Sequence, residues 1–159
     1  MSRPLKDRPD VRFFTEVGLI EQLARQRVER ALPEGLSAAG FGVLNLFAAR
    51  GGMQNPAELA AAFQVTKGAM TNTLQRLEDQ GLVKVAADPA DGRRKQVTLT
   101  EVGARRHQEC LMALKPAMDN LRAVFPEAEF EAALPFLSAL RAWLDGARKP
   151  RDLNDPDPR

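Results

Sequence analysis

Cysteine, histidine and tyrosine are nearly missing from this chain of 159 residues: Cys110 and His107 each stand alone, and there is no tyrosine. A lone cysteine cannot form an internal disulfide, which points to a reducing compartment. His107 and Cys110, three apart on a helical pattern, could in principle share a metal ion, but two ligands fall short of the four of a closed zinc site. A packed thiol and a histidine near a helix start is the expected arrangement. Serine is scarce as well. Ser2 lies at the terminus, Ser37 stands where a helix cap is needed, and Ser138 sits in a helical pattern far in sequence from His107, so no Ser-His-acid triad can be assembled. A Gly-rich phosphate loop is lacking too. Apolar runs stay well below the roughly 18 residues that span a bilayer, and the polar start MSRPLKDRPD has no apolar stretch behind it. The expectation is a cytoplasmic chain away from membranes, without cofactor, metal site or enzymatic activity.

What is present is enough apolar material for one core, 44% of residues, as a single domain of this length requires. The net charge of +2 is too small to demand a polyanionic partner. Its distribution is more informative. Arg93, Arg94 and Lys95 form the densest basic cluster, with Lys67 and Arg76 upstream and Arg105 and Arg106 downstream.

Apolar residues recur in steps of three and four at Phe13, Val17, Ile20, Ala24, Val28 and Leu32, which predicts an amphipathic helix over 11–32, ended by Pro33 and Gly35. Ser37 is placed to cap a second helix with a stripe of Phe41, Leu44 and Phe47/Ala48, stopped at Gly51-Gly52. Asn55-Pro56-Ala57-Glu58 is a cap followed by a first-turn proline and an acid, and starts a short helix to about Phe63. After a turn at Gln64-Val65, Thr66 caps a helix to Gln80. Beyond Gly81 the period changes to two: Val83 and Val85, then Val97 and Leu99, flank the turn formers Asp88-Pro89-Ala90-Asp91-Gly92, so a β-hairpin with a basic tip is expected. Two long helices follow within 101–147. Kinks are expected at Pro116 and Pro135. The tail over 148–159 is too polar and Pro-rich to fold.

The last two helices carry apolar residues on more than one face: Leu111, Leu114, Met118, Leu121 and Phe125 on one, Phe130, Leu134, Phe136, Leu137, Leu140, Trp143 and Leu144 on the other. A small domain cannot absorb all of this together with the first helix. A second copy of the chain is the natural cover, with Phe13, Val17, Leu114, Met118, Leu121, Leu137, Leu140, Trp143 and Leu144 as dimerisation residues; packing within one chain is the alternative.

Helix, short turn, helix and hairpin is the order of a winged helix-turn-helix. On a wheel, Ala69, Met70, Thr73, Leu74 and Leu77 segregate from Lys67, Thr71, Asn72, Gln75 and Arg76. The polar set contains the residue types that read duplex DNA: Lys for guanine or phosphate, Asn and Gln for adenine, Thr for phosphate or a thymine methyl. Thr66 and Gly68 lie at the positive end of this helix, where the backbone can approach a phosphate. Alone, such a helix would be indistinguishable from a solvated surface helix. The hairpin tip adds weight, because three consecutive cations repel one another unless a polyanion such as a narrow minor groove neutralises them. Asp91 is placed to hold the Arg93 guanidinium by a bidentate pair.

VTKGAMTNTLQRLEDQGLV (65–83) followed by DPADGRRKQVTLTEVG (88–103) resembles the recognition helix and wing of the MarR (multiple antibiotic resistance regulator) family, and LSAAGFGVLNLF (36–47) is similar to that family's second helix. The resemblance implies a single mainly α domain over 1–159 with a small β-hairpin wing: a winged helix-turn-helix lobe over 37–100 and a helical dimerisation region from 11–32 and 101–147. It implies a homodimer gripping a pseudo-palindromic double-stranded DNA operator. Thr66, Lys67, Thr71 and Asn72 match recognition-helix contacts, Arg76 a backbone contact, and Arg93 the wing-tip arginine braced by Asp91. Family members are usually repressors released by a small aromatic or phenolic effector; the pocket positions vary, and the lack of Tyr removes one common phenol partner. The first helix has no cysteine of the kind that senses peroxide in some members. Two other classes stay open: a winged helix used as a protein-interaction module, and a non-specific DNA-binding protein.

Overall fold

The computed structural model describes residues 4–146; the tail expected to be unfolded lies outside them. A short 3-10 turn, Leu5–Asp7, precedes α1 (Pro9–Ala31), α2 (Ala38–Arg50), β1 (Met53–Gln54), α3 (Pro56–Ala62), α4 (Lys67–Asp79), β2 (Val83–Ala87), β3 (Lys95–Leu99), α5 (Glu101–Val124) and α6 (Glu127–Gly146). The chain divides after Pro116 into two compact units. Among the described residues no helix is long and apolar enough to cross a membrane.

In the first unit, side-chain caps set the starts of α2, α3 and α4. Ser37 Oγ accepts from the Gly40 N–H at 3.1 Å, Asn55 Oδ1 from Ala57 at 2.7 Å, and Thr66 Oγ1 from Ala69 at 3.1 Å. Each satisfies an amide the helix cannot pair itself. Between α3 and α4 the chain reverses through Gln64, whose φ of 57° puts a side chain in the left-handed region usually left to glycine. Gly81, at φ 70°, ends the excursion of α4.

The hairpin pairs antiparallel from Val83 opposite Leu99 to Ala87 opposite Lys95. A third strand, β1, adds Met53 opposite Thr98 and Gln54 opposite Val97, giving the sheet order β1-β3-β2. Two residues are too few to show alternation, so the pattern revealed only a hairpin.

The core of this unit gathers Val43, Leu44, Phe47, Leu59, Leu74, Leu77, Val97 and Cys110, all nearly inaccessible. In α2 the buried stripe includes Gly40 and Val43, while Ala48 is exposed. Leu114 corrects a sequence expectation: at 8% exposure it belongs to this core, so it packs within its own chain and is not offered to a second copy. Its 3-4 spacing with Leu111 and Met118 concealed that difference. His107 is buried beside Asn45, with Nε2 and Oδ1 3.1 Å apart, and its ring stacks on Phe41 at 5.9 Å.

One junction ties the unit together. Thr100 Oγ1 donates to the Gly81 carbonyl at 2.7 Å and accepts from the Gly103 N–H at 2.9 Å. The Thr100 N–H donates to the Leu82 carbonyl at 3.1 Å. A Cβ built on Gly103 would stand 2.0 Å from that same Leu82 oxygen.

In the second unit, Arg122 pairs with Glu127 at 2.7 Å across the corner from α5 to α6. Pro116 and Pro135 are accommodated inside continuous α5 and α6.

Gly103→Ala is therefore expected to destabilise the protein by about 1–3 kcal/mol, because a backbone carbonyl yields less readily than a side chain; a urea titration against wild type measures it. Burial pushes the Cys110 thiol up, opposed by the nearby Arg106 guanidinium. A raised pKa means less thiolate at pH 8, so alkylation by iodoacetamide should be markedly slower in the folded protein than in urea. Equal rates would show that the thiol is accessible and unperturbed.

Candidate nucleic-acid interface

The outward side of α4 follows from what its inner side buries. Met70, Leu74 and Leu77 are in the core, which turns Lys67, Gly68, Thr71, Asn72, Gln75 and Arg76 to solvent. Their states differ. Thr66 spends its oxygen on the cap, and the hydroxyl of the exposed Thr71 donates to the Lys67 carbonyl at 2.8 Å. Gly68 faces open space. Gln75 Nε2 donates to Asp79 Oδ1 at 2.9 Å.

Two carboxylates of the same helix have separate duties. Glu78 Oε1 accepts from the Val85 N–H at 2.9 Å, joining α4 to the exposed edge of β2. Asp79 serves Gln75. Sequence reading missed both, since nothing in spacing alone says which acid turns toward the wing.

The wing tip is built from backbone bonds. Asp88 Oδ1 accepts from the Ala90 N–H at 2.8 Å, Asp91 Oδ1 from the Arg93 N–H at 3.1 Å, and the Asp88 N–H donates to the Arg94 carbonyl at 2.8 Å. This corrects the expected bidentate pair. Asp91 fixes the main chain at Arg93, and its nearest guanidinium is that of Arg94 at 3.9 Å, an exposed pair that contributes little. An Asx-type bond two residues on competes better than a guanidinium that must give up its water.

Lys67, Thr71, Arg93, Arg94 and Lys95 line one open cleft of about 560 Å³, completed by residues 55–58 at the start of α3. Four cations face a single acid, Glu58. The cleft thus joins the start of α4 to the wing in one positive surface. Arg106, by contrast, is taken up by Glu109 and the Glu34 carbonyl, both at 3.0 Å, and does not extend it.

Comparison with known proteins agrees with this geometry. A profile of the MarR family matches residues 34–94. The transcriptional regulator HosA of Escherichia coli O111:H- is 33% identical over 112 residues, covering 70% of this chain and 78% of HosA. The chain belongs to the MarR family. It is a transcriptional regulator with the family's winged-helix fold. A crystal structure of MarR superposes with a TM-score of 0.75 at 26% identity, covering 92% of this chain and 98% of that one. BpsR of Bordetella bronchiseptica, whose DNA binding is regulated by 6-hydroxynicotinic acid, superposes with a TM-score of 0.70 at 20% identity, covering 89% and 98%.

Removing the Asp91 carboxylate should loosen the tip without unfolding the lobe. Asp91→Ala is expected to speed hydrogen exchange at the Arg93 amide severalfold while changing global stability by less than about 1 kcal/mol. Unchanged exchange would show that the turn holds itself.

Proposed function

We propose that this regulator binds double-stranded DNA sequence-specifically as a homodimer on a pseudo-palindromic operator, acts as a repressor, and is released by a small aromatic or phenolic effector. The observation that carries the reading is the continuous positive cleft from Lys67 and Thr71 to Arg93, Arg94 and Lys95. It suits a helix in the major groove with a wing over the neighbouring backbone and minor groove. Lys67 and Asn72 are the candidates for guanine and adenine edges, Thr71 for a thymine methyl or a phosphate, and Arg76 for a backbone phosphate. Thr66 and Gly68 bring the start of α4 to a phosphate, and Arg93 enters the groove from a tip that Asp91 shapes.

The homodimer is supported by apolar surface that each unit leaves bare. No residue of α1 and none of α6 is buried. Val17, Met118, Leu121, Leu137, Trp143 and Leu144 are exposed, and Phe13 and Leu140 are half-buried. These are the residues for the contact. Two copies related by a twofold axis place their α4 helices in successive major grooves, about one helical turn apart. Release by an effector is supported by BpsR, which shares the fold and responds to 6-hydroxynicotinic acid. A regulator of this kind works in the cytoplasm.

Selection from a random duplex pool at fixed salt tests the reading. Wild type should enrich an inverted repeat. Arg93→Ala should bind the selected site more weakly by about 1–3 kcal/mol, and Asn72→Ala should relax preference at one base pair in each half-site. Binding by wild type that merely fades with salt, without enrichment, would leave only non-specific charge attraction.

A further inference from the structure

On the outward side of α4, Gln75 is held by another side chain while, among the described residues, the ends of Lys67, Asn72 and Arg76 are not. At 100° per residue, Gly68, Asn72, Gln75 and Asp79 fall within about 60° of one another, opposite the buried Met70, Leu74 and Leu77. Gln75 is bonded to Asp79 through Nε2 at 2.9 Å, whereas the ends of Lys67, Asn72 and Arg76 engage no side chain among the described residues.

A carboxylate accepts and does not donate, so only the NH₂ end of Gln75 can face Asp79. That bond removes the ambiguity of a free amide. Oε1 is turned away from Asp79 as an acceptor, and one N–H remains to be given.

We infer that Asp79 is a positioning residue that sets base preference where Gln75 reads the DNA, favouring adenine over guanine. Adenine offers the N6 donor to Oε1 and the N7 acceptor to the remaining N–H, while guanine presents two acceptors, O6 and N7, in the same groove. This rests on the reading of α4 as the recognition helix. As an i,i+4 partner of Gln75, Asp79 contributes only weakly to the stability of the helix. A negative charge in the last turn opposes the helix dipole, and an acid near a polyanion is repelled. Glu78, its neighbour, already holds β2. The contact with Gln75 is the only side-chain hydrogen bond of Asp79 among the described residues.

The test compares wild type, Asp79→Ala, Asp79→Asn and Gln75→Ala by selection and by quantitative binding to single-base variants of the selected duplex at several salt concentrations. In wild type, adenine should be preferred over guanine at one position per half-site by on the order of tenfold. Asp79→Ala should reduce that ratio to about twofold with the preferences at the other positions unchanged, while loss of the repelled charge strengthens binding to all duplexes alike. Asp79→Asn, whose Oδ1 can still accept, should fall between. In the Gln75→Ala background, Asp79→Ala should have no further effect on preference. An unchanged Asp79→Ala motif, or equal weakening at every position, overturns the inference and leaves DNA reading by α4 intact. If wild type enriches no motif, both fall.

Discussion

The four-residue neighbourhood of Gly81, Leu82, Thr100 and Gly103 positions α4, the wing and α5 against one another. The helix α4 leaves through Gly81, the wing begins at Val83 and returns at Leu99, and α5 starts at Glu101. Thr100 joins these lines, using its hydroxyl on Gly81 and Gly103 and its amide on Leu82. The absence of a side chain at Gly103 lets α5 lie directly against the Leu82 carbonyl. A shift there would move α4, the sheet and α5 together, so the angle between helix and wing is a property of this contact. Glu78 adds a second tie at Val85.

Rigidity at that root contrasts with freedom at the two tips. Lys67 and Asn72 end in solvent, and Arg93 has its main chain fixed but its guanidinium unengaged among the described residues. Such a division is useful for binding a polyanion. Backbone order reduces the entropy lost on association, while uncommitted cations keep their full charge for phosphates. Had Asp91 captured the Arg93 guanidinium, part of that charge would have been neutralised in the free protein.

Periodicity made most of the fold legible. Helix caps at Ser37, Asn55 and Thr66 were readable because a short oxygen side chain before an apolar repeat has one economical use. The hairpin was readable because Val83, Val85, Val97 and Leu99 alternate around a run of turn formers. The winged-helix fold and its family followed from these motifs in order. What escaped has specific causes. β1 is too short to show a period. Leu114 shares its helical spacing with exposed residues, and only the depth of α5 within the first unit separates it from Met118. Asp79 and Glu78 are adjacent acids whose different partners depend on a rotation of 100° along the helix. Asp91 lies in the expected turn but holds the main chain of Arg93 and not its guanidinium, because an amide two residues on is a nearer partner than a solvated cation.

The apolar faces of α1 and α6 set the remaining constraint. A helix in water draws little stability from its own hydrogen bonds and depends on burial of one face. At its C-terminal end α1 has such burial, where Val28 and Ala31 pack against the core. Farther toward its start, Phe14, Leu19, Ile20 and Leu23 are all about half exposed or more, and the exposed pairs Arg8 with Asp10 and Arg25 with Glu21 add little. In the second unit, Leu134, Phe136 and Trp143 are more than half exposed. DNA, a polyanion, does not cover apolar surface of this kind. A twofold contact can, since each copy brings the same apolar patches and needs no third component. The proposed dimer would act on two grounds: it would supply burial that α1 and α6 each lack within their own unit, and it would bring two positive clefts to a single duplex.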